Sequence, residues 1–144
     1  MLREKFVIEK LVQQKLTSAA PVVVMMCGVA GSGKTTFAQK LEKEGFARLS
    51  IDEDIWVTHG RFGVDYPEEN YESYQKESEI KLRMELVNLI QARLPVVVDF
   101  SFWQHQRRNE YKQLIEQYGG VWELIYLKVR PDELAQRLLI RRER

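Results

Sequence analysis

A chain of 144 residues with 44% hydrophobic content suits a single domain with a buried core. Its 22 basic and 21 acidic residues nearly cancel, which excludes an overall charge that would favour nucleic acid or an acidic membrane. The single cysteine, Cys27, excludes an internal disulfide, and no apolar run approaches the roughly 20 residues that cross a bilayer. We therefore expect a cytoplasmic protein without a membrane segment, in which Cys27 packs in the core.

The first 21 residues carry apolar side chains at loose helical spacing, from Leu2 to Leu16, on a charged background. This pattern predicts a helix that ends before Pro21. The helix either packs on the core or forms a frayed leader outside it. We accordingly divide the chain into a leader, residues 1–21, and a domain, residues 22–144.

The segment Val22–Cys27 is apolar at every position, as expected of a central strand in a parallel sheet that is covered by helices on both faces. It is followed by GVAGSGKTT, residues 28–36, and then by a helical pattern over residues 37–44. The spacing G-x-x-x-x-G-K-[ST], in the order strand, loop and helix, predicts a phosphate-binding loop.

Each residue type in this loop has a physical role. Gly28, Gly31 and Gly33 let successive backbone N–H groups surround an anion at the positive end of the following helix. Lys34 is placed to reach the β- and γ-phosphates, and the Thr35 hydroxyl is placed to ligate Mg²⁺. The loop therefore predicts a site for a nucleoside triphosphate with Mg²⁺.

A second short strand, residues 46–50, is followed by three carboxylates, Asp52, Glu53 and Asp54. Since open α/β sheets bind ligands at the carboxyl ends of their strands, Asp52 is our first candidate to accept the proton of an attacking hydroxyl. Alternatively, Asp52 or Asp54 caps the start of a short helix. Both roles stay open at this point.

Residues 52–93 form an acidic segment, which we predict to contain a mobile loop over residues 57–70 and then a long helix opened by Pro67. Between Asp52 and Glu79 there are nine acids and two bases. If these acids line the acceptor site, they favour a cationic or neutral polyhydroxylated acceptor and disfavour a nucleic acid. They are equally compatible with a solvated acidic helix face.

A third strand, within residues 95–100, places Asp99 directly after three valines. A carboxylate is costly inside a core unless it is paired, so we expect Asp99 at the ligand-facing end of the sheet. A Walker-B-type acid at that position holds the water shell of Mg²⁺. Aromatic residues follow, and then a helix that starts near Arg107.

The fourth strand, residues 121–127, precedes Pro131, which we predict to open a helix with Arg137, Arg141 and Arg144 on one face. Arginines on a lid that starts at about residue 130 can clamp donor phosphates and offset negative charge during phosphoryl transfer. The alternative is a basic surface that serves solubility.

Four segments, GVAGSGKTT, LSIDEDIW, VVVDFSFW and YLKVRPDELAQRLLIRR, resemble the small P-loop kinase-like proteins often labelled AAA-family ATPases. The resemblance covers residues 22–144, and the relatives of this group include zeta toxins, chloramphenicol phosphotransferase, gluconate kinase and polynucleotide kinase domains. It implies a P-loop NTPase α/β fold of three α/β/α layers, similar to nucleoside monophosphate kinases, with parallel strands in the order 2-3-1-4. Since such folds continue into a fifth strand and a final helix, we expect the C-terminal strand to be missing and the chain to be truncated after Arg144.

The resemblance also implies roles for individual residues. Asp52 would activate the acceptor hydroxyl, and Arg137 and Arg141 would belong to the lid. Asp99 would end the third strand. Ile55 stands where related polynucleotide kinases carry an arginine, which argues against a nucleic acid acceptor. ATP and Mg²⁺ would be bound by the loop residues Gly28, Gly31, Ser32, Gly33, Lys34, Thr35 and Thr36, and Arg137 would also contact ATP.

The sequence thus predicts an ATP-dependent kinase that transfers the γ-phosphate to a hydroxyl of a small-molecule acceptor. Its expected catalytic residues are Lys34, Asp52, Arg137 and Arg141, and its expected metal ligands are Thr35 and Asp99. Two other functions stay open. One is an ATP-binding regulatory module without a small-molecule acceptor, and the other is a kinase for nucleotide-sugars, as in zeta toxins, or for polynucleotide 5′-ends.

Overall fold

The computed structural model describes residues 2–28, 33–102, 104–130 and 135–141. A short 3₁₀ turn, Glu68–Asn70, precedes the longest helix. In chain order the elements are α1 Leu2–Thr17, β1 Val22–Cys27, α2 Lys34–Lys43, β2 Ala47–Leu49, α3 Ile51–His59, α4 Tyr71–Gln91, β3 Val96–Val98, α5 His105–Gln117, β4 Val121–Arg130 and β5 Ala135–Arg141.

The strands form one sheet in the order β2-β3-β1-β4-β5. The first four are parallel, and Met25 of β1 lies between Val98 of β3 and Leu124 of β4. The predicted α/β fold and the strand order 2-3-1-4 are therefore confirmed. Because parallel strands end at the same edge, the loops after β1, β2 and β3 meet there, where α/β sheets bind ligands.

The sheet is covered on both faces, which explains why β1 is apolar at every position. Alternate residues of a strand point to opposite faces, so Val23 and Met25 pack on one side and Val24 and Met26 on the other. Helices α4 and α5 cover the first face, and α1 and α2 cover the second. The buried α1 side chains are Val7 and Leu11. In the described part of the chain, no helix is long and apolar enough to cross a membrane.

The C-terminal segment differs from the sequence-based prediction. Residues 135–141, which we expected in a lid helix with Arg137 and Arg141, form β5 antiparallel to β4. The helix prediction is wrong here because β4 continues to Arg130 and offers an unpaired edge, whose hydrogen bonds override a local helical pattern. Pro131 and Arg144 lie outside the described residues.

The acidic segment also contains more helix than we predicted. The expected loop over residues 57–70 starts later, since α3 continues to His59 and ends at Gly60, whose φ is 94°. The long helix, α4, begins after the 3₁₀ turn rather than at Pro67 and ends at Gln91. The segment is thus mainly two packed helices joined by about ten residues of loop and 3₁₀ turn.

Candidate active site

The phosphate-binding motif lies between β1 and α2, at the carboxyl edge of the sheet. Gly28 follows β1, and Gly33 precedes α2 with φ at 88°, a left-handed conformation that glycine adopts without strain. Gly31 and Ser32 lie outside the described residues. Among the described residues no side chain caps α2 at Gly33, so backbone N–H groups of its first turn are placed to bind an anion.

Lys34, the first residue of α2, extends toward the end of β3. Its Nζ lies 3.4 Å from Oδ1 of Asp99 and 3.4 Å from Oγ of Ser101. The side chain is only 12% exposed. The ammonium group of Lys34 therefore lies at the strand ends, beside the first turn of α2. Its partners, the Asp99 carboxylate and the Ser101 hydroxyl, are groups that a phosphate can replace.

Asp99 is buried at the point where β3 ends. Its backbone N–H donates to the carbonyl of Leu49 at 2.8 Å, which ties the ends of β3 and β2 together. The side chain is 1% exposed, and among the described residues neither carboxylate oxygen has a hydrogen-bond partner. Two cations flank the carboxylate, with Lys34 Nζ at 3.4 Å from Oδ1 and Arg48 Nη1 at 3.5 Å from Oδ2.

Arg48 was not singled out by our sequence analysis. Its side chain is 6% exposed and forms ion pairs with Asp99, Glu42 and Glu53. It thereby links the end of β3 to α2 and to the first turn of α3. A lone arginine within a short predicted strand, just before an acidic run, is the sequence signal that could have indicated this role.

The side chains at this edge fit a magnesium ion. Mg²⁺ prefers oxygen ligands and keeps several waters, and Asp99 offers two buried oxygens without hydrogen-bond partners. Thr35 and Thr36, in the first turn of α2, have exposed hydroxyl-bearing side chains. Within the described residues no group of three His, Cys, Asp or Glu side chains could hold a metal, so the fit is to a hydrated ion with few protein ligands.

Asp52 lies in the first turn of α3, immediately after β2, and its side chain is exposed. Ser50, rather than Asp52 or Asp54, caps this helix, since the Ser50 hydroxyl accepts from the backbone N–H of Glu53 at 3.2 Å. Our alternative interpretation of Asp52 or Asp54 as the cap is therefore wrong. Serine takes the position because it directly precedes the first helical residue.

Asp52 instead accepts a hydrogen bond from Tyr71, with 2.6 Å between the phenol oxygen and Oδ1. Burial, then this hydrogen bond and then the charge of Asp52, raise the pKa of the Tyr71 phenol above its ordinary value of 10.0. Tyr71 therefore stays protonated as a donor. A contact between residues 19 positions apart leaves no local signal in the sequence, so the sequence does not indicate this partner of Asp52.

The acids of the segment are largely paired in the folded chain. Lys81 Nζ lies 2.7 Å from Oδ1 of Asp54. Burial opposes ionisation of Asp54, but the hydrogen bond and charge of Lys81, with smaller contributions, lower its pKa below 3.8. Of the nine acids between Asp52 and Glu79, five have ion pairs: Glu53 with Arg48, Asp54 with Lys81, Asp65 with Arg61, Glu72 with Lys76, and Glu79 with Arg107.

Two neighbouring residues of α3 face opposite environments. Ile55 is 2% exposed and packs inside, whereas Trp56 is 62% exposed. Trp56 follows Asp52 by four residues, so the two share one face of the helix. An exposed indole beside the candidate base offers an apolar surface to a ligand.

The side chains of Arg137 and Arg141 lie outside the described part of the structure, but their strand register is given. Arg141 pairs with Leu124, which lies opposite Met25 in the middle of the sheet. Arg137 pairs with Lys128, beyond the end of the β1 register and nearer the ligand-binding edge. Register thus places Arg137 nearer the carboxyl edge of the sheet than Arg141.

Comparisons with known proteins place this geometry in context. Residues 23–144 match a sequence family described as an AAA domain. A relative from Aeropyrum pernix, named "Probable adenylyl-sulfate kinase", is 30% identical over 122 residues, which cover 81% of this chain. The chain spans 63% of the length of that relative.

Solved structures show the same fold at low sequence identity. A chain of the Pnkp1/Rnl/Hen1 complex has a TM-score of 0.66 and 18% identity, over 82% of this chain and 39% of that one. A chain of the PezAT chromosomal toxin-antitoxin system of Streptococcus pneumoniae has a TM-score of 0.58 and 15% identity, over 90% and 58% of the two chains.

Proposed function

Because the chain belongs to the AAA domain family and has a P-loop kinase-like fold, we propose that it transfers the γ-phosphate of ATP to a hydroxyl of a small-molecule acceptor. One observation carries the proposal. A chain of charged contacts runs from Lys34 of the phosphate-binding loop through Asp99 and Arg48 to Glu53, beside Asp52. The donor groups and the candidate base therefore belong to one connected site.

On the donor side, the loop glycines and the first turn of α2 bind the phosphates, and Lys34 contacts the β- and γ-phosphate oxygens. Thr35 and Asp99 hold Mg²⁺, directly or through its waters. When bound, Mg²⁺ neutralises charge that develops on the phosphates during transfer. Of the two C-terminal arginines, we propose that Arg137 contacts the donor phosphates. The register of β5 places Arg141 opposite the middle of the sheet, away from this edge.

On the acceptor side, Asp52 acts as the general base. The acceptor oxygen forms a bond to the γ-phosphorus as the bond from phosphorus to the bridging oxygen of ADP breaks. The hydroxyl proton passes to the Asp52 carboxylate, and ADP leaves with the bridging oxygen. ATP and the acceptor thus supply every atom of the two products, and Asp52 takes up the released proton.

The acceptor class that we propose follows from the local charges and differs from the anions that the names of the relatives suggest. Adenylyl sulfate, which the name of the Aeropyrum pernix relative mentions, is an anion, as are polynucleotide ends. Five paired acids weaken the repulsion that we expected of the acidic segment, yet Asp52 itself has no cationic partner among the described residues. A neutral or cationic polyhydroxylated small molecule therefore remains our proposed acceptor, and Trp56 can pack on its ring.

The test is transfer from γ-labelled ATP with Mg²⁺ to separate pools of amino sugars, neutral sugars, nucleosides, adenylyl sulfate, nucleotide-sugars and 5′-hydroxyl oligonucleotides. We expect one pool to be labelled. Asp52→Asn should reduce that labelling by about 10²- to 10⁴-fold while ATP affinity is retained, because a general base acts on the hydroxyl and not on the donor.

Glu69→Gln, an acid-to-amide change at another exposed position of the same segment, is the matched control and should leave labelling unchanged. Labelling of the oligonucleotide pool would instead identify a polynucleotide kinase, with strongly salt-dependent binding. ATP binding without transfer to any pool would favour a nucleotide-dependent regulatory module.

A further inference from the structure

The hydrogen bond between Tyr71 and Asp52 joins two elements that the sequence separates. Asp52 belongs to the first turn of α3, and Tyr71 is the first residue of α4. The separation of 2.6 Å between the phenol oxygen and Oδ1 is typical of a hydroxyl that donates to an ionised carboxylate. Such a bond fixes one oxygen of the acid and the plane of the carboxylate with it.

Building on the proposed function, we propose that Tyr71 is a positioning residue, which holds Oδ1 of Asp52 and reserves Oδ2 for the proton of the acceptor hydroxyl. A carboxylate on an exposed first helical turn otherwise samples several rotamers. Orientation matters for the reaction, because a displaced catalytic group costs about a hundredfold in rate.

The surroundings of Tyr71 are suited to this role. The ring of Phe62 meets that of Tyr71 edge to face, with centroids 5.1 Å apart and planes at 81°. Phe62 also contacts Tyr66, which in turn contacts Tyr74. His59, at the end of α3, stacks on Tyr74 at 3.5 Å. Phe62 thus contacts the ring of Tyr71 directly beside Asp52, whereas Tyr74 and His59 contact other members of the cluster.

Two other tyrosines provide internal controls. Tyr74 belongs to the same aromatic cluster but contacts His59 rather than Asp52. Tyr111 donates to Oε2 of Glu79 at 3.0 Å, in the interface of α4 and α5. Burial and then the charge and hydrogen bond of Glu79 raise the pKa of Tyr111, so its phenol, like that of Tyr71, donates to a carboxylate, although Tyr111 is more deeply buried.

The contact is tested by ¹⁹F NMR of the full-length chain with 3-fluorotyrosine at its six tyrosine positions, assigned by single Tyr→Phe changes. Asp52→Asn removes the carboxylate charge and should lower the pKa of the fluorotyrosine at position 71 by about one to three pH units. The titration of the residue at position 111 should not move. An unchanged titration at position 71 overturns the proposal, and this readout needs neither ATP nor an acceptor.

The role in the reaction is tested with Tyr71→Phe and Tyr74→Phe, in the acceptor pool that the wild-type protein labels. Tyr71→Phe should lower the maximal transfer rate by about tenfold to a hundredfold, with an unchanged KM for ATP. Tyr74→Phe should stay within about twofold of wild type, because it leaves the Asp52 contact intact. In the Asp52→Asn background, Tyr71→Phe should cause no further loss, since both changes remove one interaction.

The outcomes separate the two proposals. If the wild-type protein labels a pool and Tyr71→Phe transfers at the wild-type rate, Tyr71 has no positioning role and the kinase function stands. If Tyr71→Phe and Tyr74→Phe lose activity equally, the cluster has only a structural role and the positioning proposal is overturned. If no pool is labelled by the wild-type protein, the proposed function fails, while the NMR titration still decides whether Tyr71 holds Asp52.

Discussion

The donor side and the acceptor side of the candidate site are built in different ways. On the donor side, Lys34 and Asp99 follow neighbouring strands of one sheet and meet at 3.4 Å. On the acceptor side, Asp52 and Asp54 find their partners on another helix, 19 and 27 residues further along the chain. The geometry of the sheet therefore sets the positions of the donor-side residues, whereas the packing of α3 against α4 brings the acceptor-side residues together. We expect substitutions to affect the two halves to different degrees.

Among substitutions of the three paired cations Lys34, Arg48 and Lys81, the largest effect is expected from Lys34→Met, on the donor side. Loss of the cation that we propose to contact the transferred phosphate should reduce the transfer rate by about 10²- to 10³-fold and weaken ATP binding as well. Lys40→Met is the matched control, because Lys40 lies on the same helix but is 48% exposed and pairs with Glu4. Initial rates and ATP titrations measure both effects. Equal activity of the two variants would contradict a phosphate contact for Lys34.

An intermediate effect is expected from Arg48→Met, which separates the two sides. Asp99 and Glu53 would both lose a cation that is 6% exposed, and breaking a buried ion pair costs about 3 kcal/mol. The free energy of unfolding, measured with urea, should fall by about that amount. Arg48→Lys keeps the charge but not the three-way contact, so its loss should be smaller. Wild-type stability in Arg48→Met would show that Lys34 alone compensates Asp99.

The smallest effect of the three cation substitutions is expected from Lys81→Met. Since the pKa of Asp54 is lowered in the fold, its ionised form stabilises the protein at pH values above its ordinary pKa of 3.8. That contribution is lost as the pH falls through the still lower pKa of the folded state. Lys81 is exposed, so the Tm at pH 7 should fall by only about 2 °C or less.

The pH dependence makes the Lys81 measurement specific. The difference in Tm between wild type and Lys81→Met should shrink as the pH drops below 3.8, because protonated Asp54 no longer attracts Lys81. Lys76→Met is the control, since Lys76 pairs with Glu72 on the same helix and both side chains are more than three quarters exposed. A difference that grows in acid would refute the Asp54 contact.

Much of the fold and of the donor side could be predicted from the sequence. The loop motif has fixed spacing, and the apolar run Val22–Cys27 before it predicts a strand in a covered parallel sheet. The position of Asp99 followed from the same reasoning, because a carboxylate after three valines belongs at the end of a strand. These inferences depend on nearest neighbours along the chain, which the sequence displays directly.

The C-terminal strand and the acceptor side could not be predicted, because they depend on which helices and strands meet in space. The antiparallel pairing of β5 with β4 overrode a helical pattern at Arg137 and Arg141. The contact of Tyr71 with Asp52 requires the crossing of α3 and α4, which periodicity does not reveal. A charge count over the acidic segment likewise overestimated its negative field, because Arg48, Lys81 and Arg107 come from outside the counted residues.

Helix α1 belongs to the same hydrophobic core as the part of the chain that matches the family. Similarity to the AAA domain family begins at residue 23, yet Val7 and Leu11 of α1 share a hydrophobic cluster with Phe37 and Leu41 of α2. The face of the sheet behind the phosphate-binding loop is therefore completed by residues that precede the recognisable family sequence. A boundary drawn at the start of the family match would therefore cut through one hydrophobic core and remove Val7 and Leu11 from it.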